Sequence, residues 1–137
     1  MEKIRNENEL LVSYHQIIVS QAGKPAPYME WSKQDLEKGY SAKEHAVSFT
    51  AMSNSTAEIQ VTLEDIKFNK TPEITCRVPF QVLDGKVEIK SILSRSLFYE
   101  VPSGNYYLSF YGIPVEEKRS NGLYKVKYIL QFTEAGA

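Results

Sequence analysis

Cysteine occurs once in these 137 residues, at Cys76, tryptophan once, at Trp31, and histidine twice, at His15 and His45. One cysteine excludes an internal disulfide and leaves no oxidising signature. With two histidines, any Ser-His-Asp or Cys-His arrangement would have to use one of them. Cys-x-x-Cys and His-Glu-x-x-His spacings are missing, as are a Walker loop and a glycine-rich dinucleotide fingerprint. Neither zinc nor an organic cofactor is therefore expected. No apolar run approaches the roughly 20 residues of a membrane helix, so membrane insertion is not expected. A basic surplus is also lacking: the formal charge is −1. Proteins that grip a phosphate backbone draw much of their affinity from Lys and Arg, so direct nucleic-acid binding is not favoured. Residues 1–9 are charged and carry no apolar h-region, and a soluble, cytoplasmic protein is the expectation.

What is present is alternation, the period of a half-buried strand. Ala57, Ile59, Val61 and Leu63 alternate with Glu58, Gln60, Thr62 and Glu64. Val47, Phe49 and Ala51 repeat the pattern, as do Ile74, Cys76, Val78 and Phe80. Pro79 cannot donate to a ladder, which places that segment at an edge or a bulge. Val87 and Ile89 follow Asp84-Gly85, a dipeptide suited to a type I′ hairpin. Tyr106, Leu108 and Phe110 form a further face, and Tyr124, Val126, Tyr128, Leu130 and Phe132 the longest. From Leu10 to Ser20 both faces carry apolar residues, which predicts one strand buried partly on both sides. The sum is a mainly β chain: an antiparallel β-sandwich of about eight strands. One short helix is expected, capped by Ser32 with Asp35 three residues on and stopped by Gly39. Leu36 is its clearest apolar residue, so Trp31 and Tyr40 should pin its ends. A second short turn is expected over residues 91–96.

Catalysis finds no constellation. Glu64-Asp65 and Glu116-Glu117 are neighbours in sequence, which does not make a catalytic pair. Cys76 alternates with core positions and reads as a small hydrophobe. Binding is better supplied. Trp31 is either a core anchor or, if part of its ring is exposed, a binding hot spot. His15, inside the first predicted strand, is a structural histidine or a partner-facing group. Tyr106 and Tyr107 face opposite sides, and Tyr107 shares its face with Tyr111. An exposed Tyr107–Tyr111 pair would make a sticky patch; two rings lying flat on a sheet would not. Glu30, Asp35 and Glu37 gather around the helix and suit a basic partner, although Lys33 and Lys38 dilute them. The partner-binding candidates are thus Glu30, Trp31, Asp35, Glu37, Tyr40, His15, Tyr107 and Tyr111.

Several segments together have a familiar order: Ser13-Tyr14-His15-Gln16, Met29-Glu30-Trp31-Ser32, Leu36-Glu37-Lys38-Gly39-Tyr40 and Ala46-Val47-Ser48-Phe49. Val78-Pro79-Phe80, Ile89-Lys90-Ser91-Ile92 and Pro102-Ser103-Gly104-Asn105-Tyr106 continue it, and it fades after Ile113. The chain resembles the bacterial competence protein J, or DNA-entry nuclease inhibitor, family. The resemblance implies one domain over residues 1–137 that binds and silences a DNA-entry nuclease without being an enzyme. No family motif marks the inhibitory residues, and the departure around residues 116–122 leaves another nuclease toxin open as target. A small-ligand-binding β-sandwich and a subunit that self-associates through an edge strand are the rival classes.

Overall fold

The computed structural model describes residues 8–24, 30–43 and 45–135. Its strands are β1 (Glu9–Leu11), β2 (Gln16–Gln21), β3 (Tyr40–Lys43), β4 (Ala46–Thr50) and β5 (Thr56–Thr62). They continue with β6 (Ile74–Val82), β7 (Lys86–Lys90), β8 (Leu97–Glu100), β9 (Gly104–Pro114) and β10 (Val126–Glu134). One helix, α1, covers Lys33–Lys38. The strands form two five-stranded sheets, in the orders β1-β5-β10-β9-β6 and β3-β4-β2-β7-β8. Apolar residues of the alternating positions meet between them: Phe49 stacks on Phe110 at 4.3 Å, and Phe110 on Tyr128 at 5.4 Å. Phe132 receives the edges of Tyr106 and Phe80 at 5.6 and 6.1 Å. Cys76 is part of this core, where burial pushes its thiol up.

Ten strands rather than about eight result from three local departures. The segment from Leu10 to Ser20 is not one strand. Tyr14 and His15 both take positive φ, 54° and 52°, so the chain turns there and passes from one sheet to the other. The inward set shifts from even positions (Leu10, Val12) to odd ones (Ile17, Val19), and β2 itself is buried on both faces as expected, with Ile18 and Ser20 covered as well. β3 and β8 are the other additions; both are four-residue edge strands, too short to show a period. Asp84-Gly85 is not a type I′ hairpin. Only Gly85 has positive φ, and the turn connects β6 in one sheet with β7 in the other. Not every pair is antiparallel either: β5 and β10 run parallel, Ile59 facing Tyr128.

Pro79 sits where its missing donor predicts, on β6 at the edge of its sheet. Because β10 and β9 separate β5 from β6, residues 63–73 must cross both. They do so on the outward face. Gln131 Nε2 donates to Glu64 O at 2.9 Å, Phe68 lies edge-on to Tyr111, and Glu73 N–H donates to Gly112 O at 2.8 Å. On this outward face Ser109 and Ile129 are only 4% exposed.

Tyr128 has no accessible surface, and its hydroxyl accepts the Met52 N–H at 2.8 Å. Burial pushes its phenol from the ordinary 10.0 up to about 12, against the hydrogen bonds from Met52 and Ser53. The unfolded chain therefore loses this proton first as pH rises. The stability linked to it is complete below pH 10 and is lost between pH 10 and about 12. Tyr128→Phe should unpair the buried Met52 N–H, cost about 1–3 kcal/mol at pH 7 and flatten the alkaline loss. Urea melts from pH 7 to 11.5 check both; an unaltered alkaline slope would reassign it to other groups.

Candidate functional site

The α1 segment carries five of the sequence candidates. Ser32 Oγ accepts the Asp35 N–H at 3.0 Å, while Asp35 Oδ2 accepts the Ser32 N–H at 3.0 Å, the reciprocal cap that the sequence predicts. Gly39 ends the helix at φ 90°; a Cβ there would also stand 3.3 Å from Cys76 Sγ. Asp35 Oδ2 also accepts from Ser41 Oγ at 3.1 Å, and Lys38 Nζ lies 3.6 Å from Oδ1. These contacts, the Ser32 N–H foremost, hold its carboxyl below the usual range. Asp35 is thus the structural acid of this segment. Glu30 and Glu37 are exposed and leave their charges to solvent. Trp31 is half-buried, with Nε1 covered and without a hydrogen-bond partner among the described residues. Tyr40 packs 6.4 Å from Phe49 beneath Lys38 Nζ. Leu36 is 66% exposed, so Trp31 and Tyr40 do flank a helix that buries none of its own residues.

His15 does not lie in a strand. It occupies the turn between β1 and β2, where its N–H donates to Asn54 Oδ1 at 2.8 Å and its carbonyl accepts from Ala51 at 2.8 Å. Its Nδ1 stands 3.3 Å from Asn54 Nδ2, which suits an unprotonated Nδ1 as acceptor. A buried serine fixes the turn from below. Ser91 Oγ accepts the Ser13 N–H at 2.8 Å and stands 2.6 Å from Gln16 O and 3.0 Å from Ser13 O. Leu93 N–H returns a bond to Ser13 Oγ at 3.0 Å. Residues 13–16 and 91–94 are one unit, joined across the whole middle of the sequence. This unit adjoins α1: Gln16 pairs with Thr50, whose N–H donates to Gly39 O at 2.9 Å.

Tyr107 and Tyr111 belong elsewhere, on the outward face of the β9 sheet. Tyr107 lies 4.6 Å from the Arg77 guanidinium, and Tyr111 is covered by Phe68 at 4.9 Å. Ser109 between them is buried, and each ring is engaged by a different neighbour. The structure brings Glu30, Trp31, Asp35, Glu37, Tyr40 and His15 to neighbouring elements and leaves the two tyrosines apart. It also exposes large apolar residues that sequence reading passed over: Tyr14, Ile92 and Leu93. The shift of inward phase between Val12 and Ile17 was the signal for Tyr14. For Ile92 and Leu93 it was two apolar residues set between serines.

Ser91→Ala should remove the group that satisfies Ser13 N–H, at about 1–3 kcal/mol, and loosen both loops together. Hydrogen exchange at Leu93 and Gln16 rising in step would confirm the shared anchor; exchange rising in one loop alone would refute it.

Comparison with known proteins follows the same outline. The family model described as Competence protein J matches residues 9–133, well beyond Ile113, so the likeness does not fade in the carboxyl-terminal third. A DNA-entry nuclease inhibitor of Bacillus subtilis (strain 168) is 36% identical over 116 residues, spanning 85% of this chain and 88% of that protein. The crystal structure of ComJ from Bacillus subtilis, described as an inhibitor of the DNA degrading activity of NucA, superposes with a TM-score of 0.81. It is 33% identical and the match covers 93% of each chain. On sequence and on fold, this chain belongs to the competence protein J family.

Proposed function

We propose that this chain binds a DNA-entry nuclease and silences it, without catalysing a reaction itself. The carrying observation is 36% identity, over most of both chains, to a protein known as a DNA-entry nuclease inhibitor. The exposed carboxylates Glu30 and Glu37 support the reading. A nuclease holds a polyanion, and carboxylates presented to its groove speed encounter and disfavour wrong partners. Asp35 has a different role, because its charge is committed to the helix cap and to Ser41. Small-ligand binding has one observation in its favour, a cleft of about 320 Å³ between the β3 and β6 edges, lined in part by Tyr106 and Tyr107. That volume stands at the low end of ligand sites.

DNA cleavage by the DNA-entry nuclease of the same organism should fall to zero near one equivalent of this protein. Unchanged cleavage at large excess would transfer attention to the cleft. Glu30→Lys with Glu37→Lys should slow association at low ionic strength and flatten its salt dependence, since exposed charges are screened over about 10 Å at 0.1 M salt. The melting temperature should stay within about a degree of the parent, as surface changes outside special features are nearly neutral. An association rate identical at 20 and 300 mM salt in the parent chain would remove electrostatic steering from the account.

A further inference from the structure

Three large apolar side chains stand in the open at the end of the sandwich where β2 begins: Tyr14, Ile92 and Leu93, exposed by 64%, 44% and 71%. Their backbones are held close. Leu93 N–H bonds Ser13 Oγ, and the Ser91 hydroxyl sits against the carbonyls on both sides of the Tyr14-His15 turn. Stability explains the inward groups of this unit, Ser13, Ser91 and Gln16, but not the outward ones. Apolar surface left in water forgoes the main gain of folding. Tyr14 adds backbone strain, since φ 54° crowds the Cβ of an L residue against the neighbouring peptide group. Binding sites concentrate their energy in such residues: large, apolar, and already ordered before the partner arrives.

We infer that Tyr14, Ile92 and Leu93 form the anchor with which this protein enters an apolar recess on the nuclease, a recess rimmed by carboxylates. The inference rests on the inhibitor reading above and assigns it a surface. Charge selects the occupant. Residues 13–16, 51–55 and 90–96 contribute the cations Lys90 and Arg95, and no carboxylate. Glu88, one strand position pair away from Lys90, is engaged by Ser96 Oγ. A second copy docked anchor to anchor would set these like charges against one another, whereas an acidic rim would be drawn to them. The adjoining helix gives the face a second sign: Glu30 and Glu37 would meet basic ground beyond the recess. One surface would then match both polarities of an enzyme that holds a polyanion.

The test uses calorimetry and DNA cleavage with the intact chain and the DNA-entry nuclease of the same organism. Leu93→Asp and, separately, Tyr14→Asn should each raise Kd by about 30-fold or more, the scale of an interface hot spot. Tyr14→Asn should at the same time melt no lower than the parent, because Asn tolerates positive φ. Lost affinity in an equally or more stable protein cannot be a folding defect. Leu63→Asp, an exposed residue on the 63–73 crossing, should bind as the parent does. Should the parent inhibit and both anchor variants inhibit equally well, the anchor is wrong and the inhibitor reading stands. Self-association of the parent that Leu93→Asp abolishes, with inhibition retained, would make a second copy the occupant instead and overturn the inference. No binding by the parent chain would remove both readings together.

Discussion

The stack of Phe49 on Phe110, continued by Tyr128, is the contact on which the two sheets depend. Each ring comes from a different strand, one from the first sheet's partner and two from the sheet's own centre. Burial of each aromatic removes a large apolar area from water, and a truncation here would leave a cavity that neighbouring strands cannot close. The stack also has a polar end. Tyr128 reaches from the core to the Met52 backbone and fixes the 51–55 loop, which in turn supplies Asn54 to His15. Core packing and the exposed turn are thus linked through one phenol and one amide side chain.

Inward positions were plainly legible in the sequence, because a period of two survives wherever one face of a strand is buried. Ile59, Val78, Leu108 and Leu130 all stand where alternation puts them. The helix was legible for a different reason: its stop and start signals are local hydrogen-bond chemistry that needs no tertiary partner. Pairing was not legible. Nothing local says that β5 lies parallel to β10, or that Asp84-Gly85 joins sheets rather than neighbours. Those choices are made by contacts remote in sequence, and a four-residue edge strand such as β3 has no room to declare a period.

The site was read less well than the fold, and the reasons are physical. Acidic residues look alike in sequence, yet Asp35 is consumed by a cap and a serine while Glu30 and Glu37 remain open. Tyr107 and Tyr111 share a face as alternation requires, but Arg77 packs on the one and Phe68 on the other. Tyr14 falls inside the one strand that the sequence predicts from Leu10 to Ser20, because nothing in a tyrosine's chemistry signals the positive φ it takes there. A chain-wide serine bridge was equally hidden, since Ser13 and Ser91 are 78 residues apart.

The place of β10 has a consequence for synthesis. This strand, the last one described, lies between β5 and β9 at the middle of its sheet. Without it, the pairing of this sheet divides into β1-β5 and β9-β6, each with an unpaired inner edge. Closure of this sheet therefore waits until the other nine described strands have been made, and strand edges left open meanwhile are ones that other nascent chains can capture. The same insertion ties β5, from the middle of the sequence, to β9 through the strand between them.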